Sequence, residues 1–511
     1  MEMIHDTIVI GSGIGGLACA SALAKCGHRV MVLEQHYVAG GLTQTFTRKG
    51  FTWDVGIHYL GEMGPGGKAQ KLLDWLSDGA IKMAPIGGAY DVIHFPGNFE
   101  ITFGSPAEVL KMNLKKKFPQ SSGDIDAFFL LLMKMTRKEM APFKLRVLPQ
   151  PLKWIYSLWV GGSIRKWWGR TTDEVLREVI RDEKLRSVLT AQWGDHGGRP
   201  TEGSFAMQAR VMNHFLEGAF YPAGGPGTFT DSLIPVIQNA GGEVKVKSPV
   251  KEILVTNGRA TGVRLEDGRE HHSKRVVSAI GARDTVEHLL PTHVRDTSWA
   301  QEILTFKPAL PHLCLYLGFE GDIRAAGATT ANHWIYESWD TNERIWSNPA
   351  AMDIPGLFVS FSSLKDPKHE AGEKMKHTGQ VITFINWEVF SRWERSRHGD
   401  RPEDYRELKQ LIEEKLLARF KRYFPEIASL IVYHELSTPL STVHFVRRQQ
   451  GASYGLETTP RRFLSRSLCM KTPVKGLYLA GQDVVSPGIT GAMIGGILAA
   501  AAIDPRIFSK L

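Results

Sequence analysis

The sequence predicts an α/β protein, in which a Rossmann-like dinucleotide-binding domain carries an inserted mixed α+β domain. Three observations lead there. Residues 7–10, Thr-Ile-Val-Ile, read as a buried strand that runs straight into Gly11-Ser12-Gly13-Ile14-Gly15-Gly16. An apolar helix over residues 17–25 and a second strand over 29–33 then end at Glu34. This is the strand, glycine turn, helix, strand and acid unit of a dinucleotide cradle. A second glycine-rich signature, Gly481-Gln482-Asp483 with Gly488-Ile489-Thr490-Gly491-Ala492, stands at the other end of the chain. Finally, 511 residues exceed one simple core, so two domains are expected.

Each residue of the first unit has a physical task. Gly11 allows the tight turn, Gly13 lets a pyrophosphate approach the backbone, and Gly16 lets the helix pack on the strand. With Gly15, the amides at the helix start and the helix dipole favour the phosphate charge. Glu34, with Gln35 beside it, is placed to accept hydrogen bonds from the adenosine ribose and disfavours a 2′-phosphate. In the late signature, small residues around Ile489, Thr490 and Ala492 open a helix whose start can approach a cofactor. The two signatures together point to bound FAD.

The intervening chain places the remaining elements. Residues 1–60, 221–310 and 471–511 are expected to form a discontinuous FAD-binding domain. Residues 61–220 and 311–470 are expected to form the substrate-binding domain. Gly224-Gly225-Pro226-Gly227 precedes a helix over 228–239, which Gly241-Gly242 stops before a strand from 243. Strands over 250–256 and 260–265 flank the turn Asn257-Gly258, and an apolar strand over 275–280 ends at Gly281. Strands are expected near 313–319, 356–362, 381–385 and 476–480, with an exposed, charged helix over 404–422.

Composition narrows the function classes. Apolar residues at 43% and charged residues at 23% describe a folded chain. The four cysteines lack any Cys-x-x-Cys spacing, so neither a disulfide scaffold nor a metal centre is expected, and a reducing compartment is favoured. No metal site is expected from the histidines either, since no His-Glu-x-x-His unit occurs. A serine hydrolase lacks its Gly-x-Ser-x-Gly elbow. The net charge of +9 favours acidic surfaces, but no nucleic-acid-binding module accompanies it. No run of 18 apolar residues suggests a membrane span, and no signal peptide is expected ahead of a fold that begins near residue 6. A cytoplasmic or peripheral-membrane location is expected. Ser509-Lys510-Leu511 would be a peroxisomal address in a source with peroxisomes.

The motifs also carry a family likeness. Gly40-Gly41-Leu42-Thr43-Gln44-Thr45 follows Glu34 as an extended flavin motif does, and residues 51–59, with Gly56-Ile57-His58-Tyr59, resemble the segment approaching the flavin ring. The chain resembles the flavin amine-oxidase and phytoene-desaturase superfamily, nearest the subgroup of retinol saturases and carotenoid isomerases. The resemblance covers both ends of the chain. It implies cofactor contacts from Gly40, Gly41, Gln44, Thr45, Gly56, Ile57 and His58, and places Asp483 near the ribityl or phosphate part of FAD. It also implies that Val250 encloses the adenine, although an apolar side chain there is equally ordinary core. Ala279 and Gly281, at the return of a strand, are further expected contacts.

For chemistry, His58 is the first candidate: a proton donor or acceptor at the flavin, or a structural hydrogen bond setting the Gly56 turn. Glu435, in Tyr433-His434-Glu435, would be an acid if its surroundings were apolar. His196 sits in a polar turn beside Asp195, and His214 in a helical segment with Met207, Met212 and Phe215 that would line a substrate tunnel or form an ordinary helix-packing surface. Residues 152–168 interleave Trp154, Tyr156, Trp159, Trp167 and Trp168 with Lys153, Arg165 and Lys166, a pattern suited to a membrane interface. Gly161-Gly162 suggests a break into two short elements. A buried helical hairpin is the other reading.

The resemblance implies saturation of a retinoid or carotenoid double bond, a long apolar conjugated substrate, and electrons from NAD(P)H or a separate reductant. Carotenoid cis/trans isomerisation without net redox change, polyene desaturation, amine oxidation and a nonenzymatic flavin-binding role remain the alternatives. The sequence leaves the oligomeric state open.

Overall fold

A computed structural model describes residues 5–136, 139–148, 150–342 and 345–510. Leu511, the last residue of the terminal tripeptide, lies outside them. The cofactor end is built on a five-stranded parallel sheet in the order Glu243–Lys245, Val30–Leu33, Thr7–Ile10, Val276–Ser278, Leu477–Leu479. These strands read as continuous apolar runs because helices cover them. Helix Ile14–Ala24 is buried along its whole length, and helix Gly488–Ile503 nearly so. Neither is amphipathic, as expected of a helix packed on every side.

A three-stranded antiparallel sheet, Val250–Thr256, Arg259–Leu265 and Glu270–His272, leans on this core. Its first turn has positive φ at both Asn257 (49°) and Gly258 (71°), the geometry that an Asn-Gly hairpin favours. The other half of the molecule is a seven-stranded mixed sheet. It runs Ile431–Ser437, His312–Glu320, Lys376–Phe384, Gly356–Ser360, Asn332–Tyr336, Ala89–Phe95, Phe99–Gly104. Helix Glu403–Tyr423 covers its far face, burying Tyr405, Ile412, Leu416 and Phe420 at helical spacing. The hairpin Thr45–Arg48 with Phe51–Asp54 bridges the halves, and Trp53 Nε1 donates to the Leu317 carbonyl at 2.9 Å.

The Trp-rich segment corrects one expectation. Gln150–Trp168 is a single helix across Gly161-Gly162. Each interior glycine costs about 1 kcal/mol relative to alanine, and burial of Val160, Ile164 and Trp168 on one stripe offsets it. Trp168 is 1% exposed and packs against Phe143 and Phe463. Trp167 packs against Phe205. Trp168 is thus not available as a surface anchor and Trp167 is half-buried, whereas Trp154 (66%), Ile155 (60%), Leu158 (69%) and Trp159 (80%) are left exposed together. Among the described residues, no helix is long and apolar enough to cross a membrane.

Candidate active site

Close backbone approaches join the two glycine signatures. A Cβ on Gly16 would fall 2.0 Å from the Gly11 carbonyl oxygen, and one on Gly15 would fall 2.7 Å from Gly481 Cα. On the late helix, a Cβ on Gly496 would lie 2.1 Å from the Gly15 oxygen and one on Gly495 2.2 Å from the Gly481 oxygen. Gly13 differs: nothing stands within 4 Å of its Cβ position, and it lines a cavity of about 910 Å³. An open glycine at a helix start is the approach a pyrophosphate needs.

Glu34 also lines this cavity, at the end of the second parallel strand. The Ser12 amide (2.9 Å) and hydroxyl (2.6 Å) donate to its Oε2, and the His36 amide (2.8 Å) to its Oε1. Oε2 is thereby filled by two donors, and Oε1 keeps a lone pair for a ribose hydroxyl. Ser12 is one residue that sequence reasoning missed: its Oγ also accepts from the Gly40 amide at 3.0 Å, tying the glycine turn to the 40–45 loop. These features fit FAD. Glu34, Gln35 and Val250 would hold its adenosine end, Gly13 and Gly15 its phosphates, and Gly56, His58 and Ile489 the end beyond.

Most expected contacts converge on the cavity wall. Gly11, Gly13, Gly15, Glu34 and Gln35 come from the first unit, with Gly41, Gln44, Gly56 and His58 from the segment after it. Val250, Ala279, Gly481, Ile489 and Ala492 complete that set. The others stand behind the wall. Gly16 packs on Gly11, Gly40 bonds Ser12, Thr45 begins the bridging hairpin and Ile57 is buried core. Thr490 is buried with Oγ1 unpartnered among the described residues. Gly281, at φ +119°, abuts Arg448 and Asp284, two charged wall residues that the sequence did not single out.

Asp483 is also placed differently from expectation. Its side chain is 3% exposed and off the cavity wall. It accepts from the backbone amides of Ala282 (2.8 Å) and Leu456 (3.2 Å), with Arg462 4.0 Å away. The acid therefore organises the loops around Gly481 and Gln482, which do line the cavity. Arg462 donates to the Leu456 carbonyl at 2.6 Å and to that of Gln482, while Arg146 donates to the Val484 carbonyl at 2.8 Å.

Glu435 is the clearest departure. It sits on strand Ile431–Ser437, accepts from the Tyr433 hydroxyl at 2.7 Å, and is not part of the cavity wall. Glu435 shares a strand face with Tyr433, which packs on Phe51 and Trp53 of the bridging hairpin. His196 is buried between Thr458 Oγ1 (3.2 Å) and Gln208 Oε1 (2.9 Å), and His214 Nε2 accepts from the Gly61 amide at 2.8 Å. Both are structural.

Beyond the cradle the cavity becomes aromatic. Trp193 packs on Phe384 with centroids 5.0 Å apart, Trp334 on Phe358 at 4.7 Å, and His58 on Phe358 at 5.3 Å. Gly194 lets this wall close, because a Cβ there would lie 2.6 Å from the Trp334 ring. His58 is a neutral imidazole. Burial, then Lys365 and His312, pull its pKa down to about 3, only weakly opposed by nearby Gln380. A neutral imidazole is a poor cationic donor, and the acceptor and structural readings of His58 stand.

Behind His58 lies a buried polar cluster. Lys365 Nζ donates to the His58 carbonyl (2.9 Å), Ser360 Oγ (2.7 Å) and Asn332 Oδ1. Burial lowers its pKa to about 7, opposed by Asp91, Asp54 and Asp195. Asp91 accepts from Gln192 (2.7 Å), Asn332 (3.1 Å) and Tyr59 (3.1 Å), and burial nevertheless raises its pKa to about 6.

Comparison with known proteins agrees with this geometry. The model of the flavin containing amine oxidoreductase family matches residues 14–504. The chain is 32% identical to the all-trans-retinol 13,14-reductase of Danio rerio, covering 98% of this chain and 86% of that protein. It is 26% identical to the chloroplastic prolycopene isomerase of Daucus carota, covering 96% and 79%. Among solved structures, cyclohexylamine oxidase from Brevibacterium oxydans superposes with a TM-score of 0.63 at 18% identity, covering 99% of this chain and 100% of that one. An oxidoreductase from Methanosarcina mazei gives 0.62 at 19%, covering 96% and 98%. These two likenesses concern the fold. The chain belongs to the flavin containing amine oxidoreductase family and is an FAD-dependent oxidoreductase.

Proposed function

We propose that this enzyme saturates a double bond of a long, conjugated, apolar isoprenoid such as a retinoid. The observation that carries the reading is the continuity of the FAD cradle with an aromatic-walled chamber lined by Trp193, Trp334, Phe358 and Phe384. The full-length likeness to retinol 13,14-reductases supports it. When bound, FAD supplies hydride transfer. The chain's own residues bind the polyene along the aromatic wall, hold the cofactor through the cradle, and provide the accompanying proton. Electrons come from NAD(P)H or a separate reductant.

Isomerisation is the second reading, favoured by the likeness to prolycopene isomerase. Anaerobic incubation of the reduced holoenzyme with retinoids and carotenoids separates the two. Saturation is expected to add two hydrogens to the product mass and reoxidise the flavin stoichiometrically. Unchanged mass with altered chromatographic retention would replace saturation with isomerisation. No reaction across the panel would defeat both.

Peripheral membrane contact belongs to the same reading, since an apolar polyene must be drawn from a lipid phase. Its support is the exposed stripe of Trp154, Ile155, Leu158 and Trp159, with Lys153 on the same helix. Replacing Trp154, Leu158 and Trp159 by serine is expected to weaken binding to anionic vesicles at least about tenfold, equivalent to about 1.4 kcal/mol. Equal pelleting of both proteins would remove this stripe from consideration.

A further inference from the structure

We propose that Asp195 is the proton donor of this reduction, held at the cavity wall as a neutral carboxylic acid by a hydrogen-bond chain through Tyr59 to Asp91. The inference rests on the saturase reading for its reaction, and on the cluster's geometry for the identity of the acid. The Tyr59 hydroxyl oxygen lies 2.7 Å from Asp195 Oδ2 and 3.1 Å from Asp91 Oδ2. A phenol carries one hydrogen, so it cannot donate to two carboxylates at once. If both acids were ionised, one of these short oxygen–oxygen contacts would hold no proton.

The partners decide which acid keeps its proton. Asp91 also accepts from Gln192 at 2.7 Å and Asn332 at 3.1 Å, so its negative charge is well solvated by protein donors. Among the described residues, no hydrogen bond reaches the Asp195 carboxyl except that of Tyr59. The consistent arrangement has Asp195 donating to Tyr59, and Tyr59 donating to Asp91. Lys365 sits 5.8 Å from the Tyr59 ring centroid, anchored on Asn332 and Ser360, and adds the counter-charge for Asp91. Asp195 is therefore faced by Asp91, Tyr59 and Lys365, and its charge would also be felt by the phenols of Tyr90, Tyr336 and Tyr454. Burial and the neighbouring Asp91 both raise its pKa well above the ordinary carboxyl value.

A separate observation points to a ligand at the same place. Trp193 and Trp334 line the cavity, are 7% and 6% exposed, and have indole N–H groups with no acceptor among the described residues. Asp195 shares this wall and keeps partial accessibility because it borders the chamber. His58, neutral and with Nδ1 unpartnered, has no spare proton as a cation to give.

The Asp195 O–H turns from Tyr59 to the chamber, its bond breaks, and its proton forms a C–H bond at one alkene carbon. FAD held by the Gly13, Gly15 and Glu34 cradle would supply, in its reduced form, the hydride for the second C–H bond at the other carbon. The C=C π bond is lost, the alkene is reduced by two electrons, the flavin is oxidised, and Asp195 is left as a carboxylate. Tyr59 then turns its O–H toward Asp195, and a proton from water restores the acid.

Infrared difference spectra of the holoenzyme in H2O and D2O test the acid directly. At neutral pH the wild type is expected to display the carbonyl stretch of a buried protonated carboxyl, absent in Asp195→Asn and shifted in Tyr59→Phe. Absence of the band in the wild type, or its persistence in Asp195→Asn, overturns the assignment even if no variant is active. In single turnover, Asp195→Asn is expected to slow alkene reduction by about 10² or more while retaining flavin. The wild-type rate should fall as pH rises through the carboxyl's own titration, and the residual rate of the variant should not. A variant as fast as the wild type overturns the proposal and leaves saturation standing. A wild type that reduces nothing sinks saturation instead, and the infrared band still reports on the acid.

Discussion

Gly16→Ala protein is expected to accumulate without flavin and to lose more than about 3 kcal/mol of stability, beyond the usual cost of overpacking a core. The new methyl would stand 2.0 Å from the Gly11 carbonyl oxygen and 3.3 Å from Ala279 Cβ. The first of these obstacles is backbone, so no rotamer relieves it. Separating strand Thr7–Ile10 from helix Ile14–Ala24 would also pull Gly15 away from Gly481 and Gly496. Gly13→Ala is the matched control, because its methyl meets nothing within 4 Å. That variant is expected to fold with near wild-type urea stability and to bind FAD about tenfold more weakly, about 1.4 kcal/mol, because the methyl occupies space a phosphate would take. Thermal melts and flavin titration of the apoprotein measure both. Equal behaviour of the two variants would contradict the distinct roles assigned to these glycines.

Arg462→Met should cost about 3–5 kcal/mol, the range for removing one member of a buried charge pair. Arg462 is fully buried, and although burial lowers its pKa to about 10 it remains charged at neutral pH. Its loss strips the Leu456 and Gln482 carbonyls of their donors and leaves Asp483 without its nearby cation. Gln482 lines the cavity, so flavin occupancy should fall together with the urea midpoint. Arg462→Lys should recover only part of either, since one ammonium lacks the guanidinium's fork. A Met variant with unchanged stability and flavin content would show that Asp483 holds these loops through the backbone amides alone.

What could be read in the sequence was local. The first glycine turn, Glu34 and the Asn257-Gly258 hairpin depend on backbone preferences within a few residues, and each appears where residue type demands it. What could not be read depends on distant partners. Lys365 reaches the His58 carbonyl across 307 positions, and Asp195 meets Tyr59 across 136. Neither residue carries a motif, so no spacing announces the cluster. Asp483 was recognisable as part of a signature, yet its partners Ala282 and Leu456 lie on separate loops that only the folded chain brings together. The Trp-rich helix is an intermediate case. Val160, Ile164 and Trp168 recur every four residues, which marks a buried stripe; reading Gly161-Gly162 as a break hid that regularity and put Trp168 on the wrong face.

The clasp of Gly15 against Gly481 and Gly496 has a consequence for how the protein is made. During synthesis the first cradle emerges long before Gly481 and Gly496, which form the surface against which it closes. Until then helix Ile14–Ala24 lacks a covering for one of its apolar sides. Such distant pairing slows folding and leaves apolar surface open to aggregation. Closure of the flavin cradle therefore has to follow synthesis of Gly481 and Gly496, whichever other parts of the fold form first.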